Sequence, residues 1–406
     1  MTFKINHPSA TVNTKILLAS SKSESNRALI INALTGNKCD IQNVSAARDS
    51  VTMNRLLNSN DDILDVLDAG TTMRFLTAFL SLQKGEKTLT GTPRMCERPI
   101  GVLVNALREI GANIEYLHNE GYPPLLVKGM PTQRKNRIQI RGDVSSQYIS
   151  ALLMIAPCLP MGLTLDLTGE IGSVPYINMT LQMMAAFGIG CDFSDSTITI
   201  QPQTYKPSSF YVESDWSGAS YWFSIAALAH ASEIELVGLK KNSLQGDAAI
   251  VPFLELLGVH ATYKETSIIL KKDSSFTLPQ SIEIDFTNCP DIAQTLAVIC
   301  AGLGVELIMT GVESLKIKET DRLAAIEIEL AKFGVKVKET SPQRYTVSGL
   351  AKVNGQEIHT YDDHRMAMAF APLGVLGNIQ IENPNVVVKS YPSYWDDLKL
   401  AGFEVA

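Results

Sequence analysis

The sequence predicts an α/β protein with six repeated units, grouped into two globular domains of three units each. The first observation is a segment that recurs along the 406 residues: an amphipathic helix, a glycine and a short β-like run. The second is a Ser-, Pro- and Tyr-containing stretch near the midpoint, "YKPSSFYVESDWSG", which is typical of a domain boundary. Units of this length are too long for a thin solenoid, so we expect compact modules.

Five copies of the repeated segment have a glycine where the helix is expected to end. Successive glycines are 77, 70, 76 and 68 residues apart. Each suits the left-handed position after a helix that leads into a strand. A fainter first copy, "TMNRLLNSNDDILDV", has Asn58 at that position, and Asn is the next-best residue there. The five glycines are Gly111, Gly188, Gly258, Gly334 and Gly402.

Composition excludes several classes of protein. The 35 basic and 42 acidic residues give a net charge of −7, which argues against a nucleic-acid or anionic-membrane partner. The six cysteines form no C-x-x-C pair and have no histidine at ligand spacing, so we expect no metal site, no disulfide framework and a cytoplasmic location. The longest uncharged stretch, 148–165, contains two prolines and is predicted to be a buried helix, a turn and a strand.

Cations recur where helices are predicted to begin, although the helix dipole is positive at that end. Free backbone N–H groups and a nearby cation together make a site for phosphate or carboxylate, so the repetition predicts anion binding. The alternative is that each cation pairs with a local carboxylate on a solvated face. The cations are Lys22, Arg27, Arg74, Arg98, Lys318, Arg322 and Arg365.

The segment "KIKETDRLAAIEIELAKFG" illustrates this prediction. Spacing of i, i+4 is expected to put Lys318 and Arg322 on one face of a helix capped by Thr320. The same helix is expected to bury an apolar stripe that anchors the two cations, consisting of Leu323, Ile326, Leu330 and Phe333.

Acidic and polar side chains near the cations are candidates for chemistry. Glu319 lies between two cations and Asp291 begins an apolar helix, so both are candidate proton-transfer groups. Asp291 could equally be an acid that complements a helix dipole, and His364 could have a structural hydrogen-bonding role. For the remaining polar candidates plain helix capping is the alternative; they are Ser145, Ser146, Gln147, Ser173 and Tyr176.

Six segments of the chain, in order, resemble signature segments of the EPSP synthase family, the 3-phosphoshikimate 1-carboxyvinyltransferases: "SKSESNRAL", "AGTTMR", "PRMCERPIG", "SSQ", "KETDR" and "DHRMAM". The resemblance implies two domains, each of three βαβαββ units in an inside-out α/β barrel. It places residues 20–213 in one domain and 1–19 with 214–406 in the other, with the active site in the cleft between them. It also implies a monomer without a metal or organic cofactor.

By the same resemblance, the enzyme transfers the enolpyruvyl group of phosphoenolpyruvate to the 5-hydroxyl of shikimate 3-phosphate. Asp291 would be the base toward that hydroxyl, Glu319 the proton donor and acceptor at carbon 3, and Lys22 a stabiliser of phosphate charge. Shikimate 3-phosphate would contact Lys22, Ser23, Arg27, Ser145, Ser146, Gln147, Ser173, Asp291 and Lys318. Phosphoenolpyruvate would contact Lys22, Gly70, Arg98, Gln147, Arg322, Arg365 and Lys389, and the secondary candidates are Arg74, Tyr176, Ser314 and His364.

Four positions depart from the commoner family pattern: Asp68 replaces Asn, Phe75 replaces Pro, Ser314 replaces Asn and Val174 replaces Lys. Because Asp68 adds an acid and Phe75 changes the packing of the Arg74 helix, we expect altered affinity for phosphoenolpyruvate and for the inhibitor glyphosate.

Two other functions remain as alternatives. An enolpyruvyl transferase acting on UDP-N-acetylglucosamine would have a cysteine where this chain has Pro93, and Cys96 lies only two residues before Arg98. A non-catalytic anion-binding protein on the same fold would not need both Asp291 and Glu319.

Overall fold

The structure is a computed structural model that describes residues 1–143 and 145–406. The chain divides into two compact units, here called unit 1 (Met1–Ser20 with Glu213–Ala406) and unit 2 (Ser21–Val212). These bounds differ by one residue at each end from the predicted segment 20–213, and the change of unit falls within the "YKPSSFYVESDWSG" stretch. That the units act as the two domains of one active site stays a prediction.

Strands occur along the whole described chain. The first eleven are β1 (Thr2–Asn6), β2 (Thr11–Leu17), β3 (Asp40–Gln42), β4 (Ile63–Asp65), β5 (Lys87–Thr90), β6 (Ile114–Tyr116), β7 (Leu125–Val127), β8 (Arg137–Arg141), β9 (Leu163–Thr168), β10 (Asp192–Ser194) and β11 (Thr197–Ile200). The following ones are β12 (Ser209–Tyr211), β13 (Ala231–Val237), β14 (Val259–Tyr263), β15 (Ser267–Lys272), β16 (Ser281–Asp285), β17 (Glu306–Thr310), β18 (Lys336–Ser341), β19 (Arg344–Ser348), β20 (Glu357–Ile358), β21 (Ile379–Glu382) and β22 (Glu404–Val405).

Helices alternate with these strands. In unit 2 they are α1 (Lys22–Leu34), α2 (Arg48–Leu57), α3 (Gly70–Leu80), α4 (Pro93–Cys96), α5 (Gly101–Ile110), α6 (Ser146–Ile155) and α7 (Val174–Ala186). In unit 1 they are α8 (Trp216–Leu228), α9 (Ile250–Glu255), α10 (Ala293–Leu303), α11 (Arg322–Ala331), α12 (His364–Phe370) and α13 (Tyr394–Leu400). The uncharged stretch 148–165 forms α6, a 3-10 turn and the start of β9, which confirms that prediction.

Five four-stranded sheets share one topology, which is the structural form of the sequence repeat. In each, a parallel pair is extended by two antiparallel strands. A single helix joins the parallel pair in four of these sheets, whereas β2 and β13 are separated in sequence by the whole of unit 2. Their strand orders are β4-β5-β7-β6 and β8-β9-β11-β10 in unit 2, and β2-β13-β15-β14, β16-β17-β19-β18 and β20-β21-β1-β22 in unit 1. A further sheet differs, because it consists of the short parallel pair β12-β3. The fainter copy with Asn58 leads into β4, which belongs to the sheet β4-β5-β7-β6.

Some helices are buried on nearly all sides, whereas others, such as α5 and α11, bury one face and expose the other. In unit 1, α8, α10 and α12 pack against one another, and nearly all their side chains are buried. The strands instead alternate, with β8 and β16 both burying every second residue. This combination of helices and sheets agrees with the predicted two-domain α/β class. Within the described residues, no helix is both long and apolar enough to cross a membrane.

All five predicted glycines end a helix with a positive φ, from 77° at Gly258 to 131° at Gly111. Each is followed by a strand, so the repeat was correctly located. The prediction for Asn58 was wrong, because its φ is −103° and α2 ends without a left-handed residue.

The "KETDR" segment also differs from its prediction. Helix α11 begins at Arg322 and is capped by Asp321, whose carboxylate accepts a hydrogen bond from the Ala324 N–H at 3.1 Å, so Thr320 is not the cap. Lys318 precedes the helix in extended backbone after a 3-10 turn, Glu313–Ile317, and therefore does not share a helical face with Arg322. The predicted apolar stripe is buried as expected: Leu323, Ile326, Leu330 and Phe333.

Candidate active site

Arg322 is the centre of a buried charged cluster in unit 1. Its side chain is 2% exposed and binds three carboxylates. Nε donates to Asp363 Oδ2 at 2.7 Å, while Nη1 donates to Asp291 Oδ1 and Nη2 to Glu319 Oε2, both at 3.0 Å. Burial alone would lower the pKa of Arg322, but the three carboxylates raise it above its usual value. The guanidinium is therefore a permanent cation that joins both predicted proton-transfer groups.

Asp291 lies between two arginines. Its Oδ2 is 2.9 Å from Arg365 Nη2, opposite the oxygen that binds Arg322. Burial would raise the pKa of Asp291, but Arg365, Lys318 and Arg322 together hold it well below its usual range. An ionised carboxylate in this place can accept a proton from a hydroxyl group.

Glu319 is shared between Arg322 and a second cation. Lys389 Nζ, whose side chain is 2% exposed, lies 3.1 Å from Glu319 Oε1. The half-buried Lys318 completes the set of cations, and burial lowers its pKa despite the opposing effect of Asp291. Four cations thus surround two carboxylates that could move protons, in a region where water is largely excluded.

Arg365 is held by two other segments, α8 and the turn that contains Asp291. Its Nη1 is 3.5 Å from the Tyr221 hydroxyl and 3.3 Å from the Asp291 carbonyl oxygen, and its Nη2 is 3.4 Å from Ser217 Oγ. Ser217 Oγ donates in turn to the buried carboxyl of Asp247. The second residue of α12 is thereby fixed against α8 and the turn that contains Asp291.

Asp363 is the residue that orients this cluster. As the N-cap of α12 it accepts a hydrogen bond from the Arg365 N–H at 2.9 Å, while its carboxylate also binds the Arg322 side chain. An acid at a helix N-cap is a common local pattern, so "DDHR" indicates the cap. The ion pair with Arg322, 41 residues away, has no signal in the sequence.

A second cluster lies in unit 2, around the start of α3. Lys22 Nζ is 3.2 Å from Asp49 Oδ2, and Thr72 donates to the Asp49 carbonyl oxygen at 3.4 Å. Asp49 is 3% exposed on its side chain, and sequence reasoning did not identify it. A buried acid beside Lys22 fixes the position of the ammonium group on the first turn of α1.

Gly70 and Arg98 are in direct contact. A Cβ atom at residue 70 would lie 2.8 Å from Arg98 Nη1, so only glycine lets the guanidinium approach the beginning of α3. Next to it, Gln147 Nε2 donates to Thr71 Oγ1 at 3.1 Å. Two predicted ligands of phosphoenolpyruvate, Arg98 and Gln147, thus meet the same helix end.

Arg27 and Arg74 are engaged inside unit 2. Arg27 donates to Thr180, Ser150 and the Ser23 carbonyl oxygen at 2.7–3.0 Å, and burial lowers its pKa to about 10. Arg74 donates to the Gly70 and Pro99 carbonyl oxygens at 3.2 and 2.8 Å. These contacts give both arginines a packing role, and the predicted contact of Arg27 with substrate stays a prediction.

The remaining candidates have simpler surroundings. Ser145 caps α6, with Ser146 the first residue of that helix, and Ser173 has a left-handed backbone (φ 54°) before α7. Tyr176 lies beside Arg27, whose Cζ is 5.9 Å from its ring. Ser314 is half-buried in the 3-10 turn before Lys318, and His364 is buried beside Asp363.

Two departures from the family pattern have clear partners. Asp68 accepts two hydrogen bonds from Arg48 Nη2, at 2.8 and 2.9 Å, so its charge is partly neutralised. Phe75 is buried beneath Arg27, with the guanidinium carbon 5.4 Å from the ring centre. In the part of the chain that the structure describes, no group of three or more His, Cys, Asp or Glu side chains could hold a metal ion.

Solved structures define the class of this protein by its fold. A 2.37 Å structure of EPSP synthase from Acinetobacter baumannii superposes with a TM-score of 0.81 at 21% identity, covering 100% of this chain and 99% of the other. A second structure of EPSP synthase from that organism gives a TM-score of 0.79 at 20% identity. At this identity the likeness establishes the two-domain α/β fold alone.

Sequence comparison establishes the family. The model of EPSP synthase (3-phosphoshikimate 1-carboxyvinyltransferase) matches residues 54–398. A 3-phosphoshikimate 1-carboxyvinyltransferase of Bacteroides fragilis is 49% identical, covering 100% of this chain and 99% of the relative. One from Vibrio atlanticus is 36% identical over 97% and 98% of the two chains. The chain belongs to the EPSP synthase family.

Proposed function

We propose that the chain is a transferase that moves the enolpyruvyl group of phosphoenolpyruvate to the 5-hydroxyl of shikimate 3-phosphate and releases inorganic phosphate. The observation that carries the proposal is the joining of Asp291 and Glu319 by one buried guanidinium, that of Arg322. Two carboxylates fixed among cations suit a reaction of two anionic substrates in which protons move twice. The family of the chain supports the same activity.

The reaction is an addition followed by an elimination. Asp291 takes the proton of the 5-hydroxyl as its oxygen bonds to carbon 2 of phosphoenolpyruvate, and Glu319 delivers a proton to carbon 3. The resulting ketal then loses phosphate: Glu319 takes a proton back from carbon 3, the carbon 2–carbon 3 double bond reforms and the bond from carbon 2 to the phosphate oxygen breaks. The proton that Asp291 took from the hydroxyl passes to the departing phosphate, so Asp291 returns to a carboxylate and Glu319 to the protonated acid with which it began the cycle.

The proposal assigns cations from both units to the binding of phosphoenolpyruvate and shikimate 3-phosphate. We assign Arg322, Arg365 and Lys389 in unit 1, with Lys22, Gly70, Arg98 and Gln147 in unit 2, to phosphoenolpyruvate. Asp291 and Lys318, with Lys22, Ser23, Arg27, Ser145, Ser146, Gln147 and Ser173, are assigned to shikimate 3-phosphate. The convergence of Arg322, Arg365 and Lys389 on two carboxylates supports the first assignment.

Further properties are part of the same proposal. We propose a monomer that acts in the cytoplasm on small molecules, without a nucleic-acid or membrane partner. All six cysteines are unpaired thiols, which suits a reducing compartment. Sedimentation analysis of the purified protein tests the oligomeric state, and a concentration-dependent dimer would contradict it.

Phosphate release from phosphoenolpyruvate tests the function directly. Wild-type enzyme is expected to release phosphate only when shikimate 3-phosphate is present. Glu319→Gln should lower the rate by about 10²–10⁴-fold, because the amide cannot transfer the proton at carbon 3. Glu327→Gln is the matched control, since Glu327 is exposed on α11 and should leave the rate unchanged.

Four results would contradict the proposal or part of it. Phosphate release that does not depend on shikimate 3-phosphate would exclude the transfer, and a normal rate in Glu319→Gln would exclude the assigned role of that acid. Release that depends instead on UDP-N-acetylglucosamine would favour the sister transferase, which the Pro93 position argues against. Binding of both anions without turnover would favour a non-catalytic protein.

A further inference from the structure

Two consecutive residues just before Asp363 have left-handed backbone conformations. Tyr361 has a φ of 53° and Asp362 a φ of 54°, although neither is glycine. Residues with side chains avoid this region, and successive examples persist only where the surroundings enforce them. The turn leads directly into the cap of α12 and hence into Arg365.

A buried carboxylate on α11 holds this turn. Glu329 is 0% exposed, and its Oε1 accepts a hydrogen bond from the Tyr361 hydroxyl at 2.8 Å. Its Oε2 accepts from the His359 N–H at 3.1 Å and from Lys332 Nζ at 2.7 Å. A fully buried carboxylate whose two oxygens both have donors is rigidly placed and costly to disturb.

The other half of the turn has its own anchor. Asn383 Nδ2 donates to Asp362 Oδ1 at 2.9 Å, and the Asp363 N–H donates to the Thr360 carbonyl oxygen at 2.8 Å. The His359 and Tyr361 rings also meet edge to face, with centroids 5.0 Å apart. Each residue of the turn is therefore fixed by a contact from another element or from the turn itself.

The same helix binds the segment at a second point. Arg322 and Glu329 are seven residues apart on α11 and so lie on one face, two turns from each other. Arg322 binds Asp363 directly after the turn, while Glu329 binds Tyr361 within it. The separation of these two contacts along the rigid helix sets where Asp363, and therefore Arg365, can lie.

We propose that Glu329 and Tyr361 are positioning residues that hold the left-handed turn so that Arg365 and Arg322 are pre-oriented for the anionic groups of phosphoenolpyruvate. The inference rests on the proposed function, and it adds two residues that touch neither substrate. Pre-orientation keeps the two arginines in binding geometry before the ligand arrives, so its loss affects binding of one substrate more than folding.

Tyr361→Phe is the informative variant, because it removes only the hydroxyl that reaches Glu329. We expect KM for phosphoenolpyruvate to rise about tenfold, since sub-ångström displacement of a binding group has effects of this order or more, while KM for shikimate 3-phosphate stays within about twofold. Tyr205→Phe is the matched control: that hydroxyl donates to the Met154 carbonyl oxygen at 2.9 Å, in unit 2. The control is expected to change the melting temperature without changing either KM.

A second pair of variants tests the turn without altering Glu329 or Tyr361. Asp362→Asn keeps an oxygen for Asn383 and a side chain that tolerates left-handed backbone, so both KM values should stay at wild-type levels. Asp362→Ala loses the contact and should raise KM for phosphoenolpyruvate as Tyr361→Phe does.

Two kinetic results would overturn the positioning role. One is an unchanged KM for phosphoenolpyruvate in Tyr361→Phe and Asp362→Ala. The other is a parallel rise of both KM values that Tyr205→Phe reproduces, which would mean a general loss of stability. If wild-type enzyme shows no turnover, the proposed function fails, and calorimetric binding of phosphoenolpyruvate then decides this inference: weaker binding by Tyr361→Phe supports it and equal binding contradicts it.

Discussion

Asp247 is a buried acid beside the arginine cluster of unit 1. Its Oδ2 accepts a hydrogen bond from the Ser217 hydroxyl, which in turn accepts one from Arg365 Nη2. Its Oδ1 has no hydrogen-bond partner among the described residues. Burial, with the charge of Asp291 added, raises the pKa of Asp247 from 3.8 to about 7, although Arg365 and Ser217 oppose the change. Asp215 on the preceding helix cap raises it further. The group therefore titrates near neutral pH in the folded protein.

This titration predicts a pH-dependent stability. Because the folded pKa lies above the unfolded one, the contribution of Asp247 is fully present below about pH 4 and is lost as the pH rises through about 7. The side chain at position 247 cannot titrate in Asp247→Asn. The free energy of unfolding of this variant, relative to that of wild type, should therefore increase by roughly 2 kcal/mol between pH 5 and pH 8. Urea unfolding at the two pH values measures this gain. Asp396→Asn, at an 81% exposed side chain, should show no such gain, and a gain in both variants would contradict the assignment to Asp247.

Asp68 places a negative charge close to the proposed phosphoenolpyruvate site. It lies two positions before Gly70, where a negative charge disfavours an approaching anion, and Arg48 only partly neutralises it. Asp68→Asn is therefore expected to lower KM for phosphoenolpyruvate and strengthen glyphosate inhibition, each by a few-fold. The single change is preferred because proline at position 75 would lie inside α3 and remove a helical hydrogen bond.

Steady-state kinetics with a glyphosate titration measures both quantities. Asp62→Asn is the control, since that side chain is 93% exposed and bonded to Lys87 rather than to a residue of the proposed site. If KM for phosphoenolpyruvate and the glyphosate inhibition constant are the same in wild type and Asp68→Asn, the hypothesis that Asp68 alters these affinities is wrong.

The helix–glycine–strand junction recurs in both units of the fold. Gly111 after α5 and Gly334 after α11 both have positive φ, at 131° and 81°. Their surroundings differ: a Cβ atom at Gly111 would lie 2.3 Å from the Thr132 carbonyl oxygen, whereas one at Gly334 would meet nothing within 4 Å. The same sequence pattern thus reflects two different constraints: both positions need a left-handed backbone, and only Gly111 also lacks space for a Cβ atom.

Alanine at the two junctions separates these constraints. Gly334→Ala should lose roughly 1–2 kcal/mol, the cost of a left-handed residue with a side chain. Gly111→Ala adds a clash with backbone and should lose about 2 kcal/mol more. Denaturant unfolding measures the loss of stability in both variants. Equal losses would show that the backbone around Thr132 can shift to accommodate the Cβ atom without further destabilisation.

Strand β1 belongs to the same sheet as the C-terminal strands β21 and β22. β1 lies between β21 and β22, with Ile5 opposite both Ile379 and Val405. Lys4 exchanges hydrogen bonds with Ala406, at 2.7 and 3.1 Å, so the two ends of the chain meet in one sheet. One sheet of unit 1 is therefore built from strands that are far apart in the sequence.

Closure of this sheet predicts a large effect from a small change near the N-terminus. Ile5 is 1% exposed, and Ile5→Ala should destabilise the protein by about 2–5 kcal/mol through lost burial and a cavity. Leu17→Ala is the contrast in the next strand: that side chain is 75% exposed and should change stability by about 0.5 kcal/mol or less. Thermal unfolding of the two variants tests this, and similar melting temperatures would mean that β1 contributes little.

The α/β class, the five glycine junctions and the segments that bear the cations could be predicted from the sequence alone. These features are local: a helix end, an apolar stripe and a charged residue beside a helix start depend on neighbours within a few positions. Where a local choice was close, sequence reasoning erred, as at Thr320 and Asn58, since neighbouring residues can cap or end a helix equally well.

Which charged side chains contact one another could not be predicted from the sequence, because it depends on how the chain folds. Arg322 binds Asp291 and Asp363, which lie 31 and 41 residues away in the sequence. Glu329 accepts a hydrogen bond from Tyr361, which is 32 residues later in the chain. Asp247 is a buried acid that no local sequence pattern marks. Pair energies and proton affinities depend on distance and burial, and the folded chain alone sets both. The candidate residues can therefore be identified from the sequence, whereas their ion pairs and pKa values depend on how the folded chain packs.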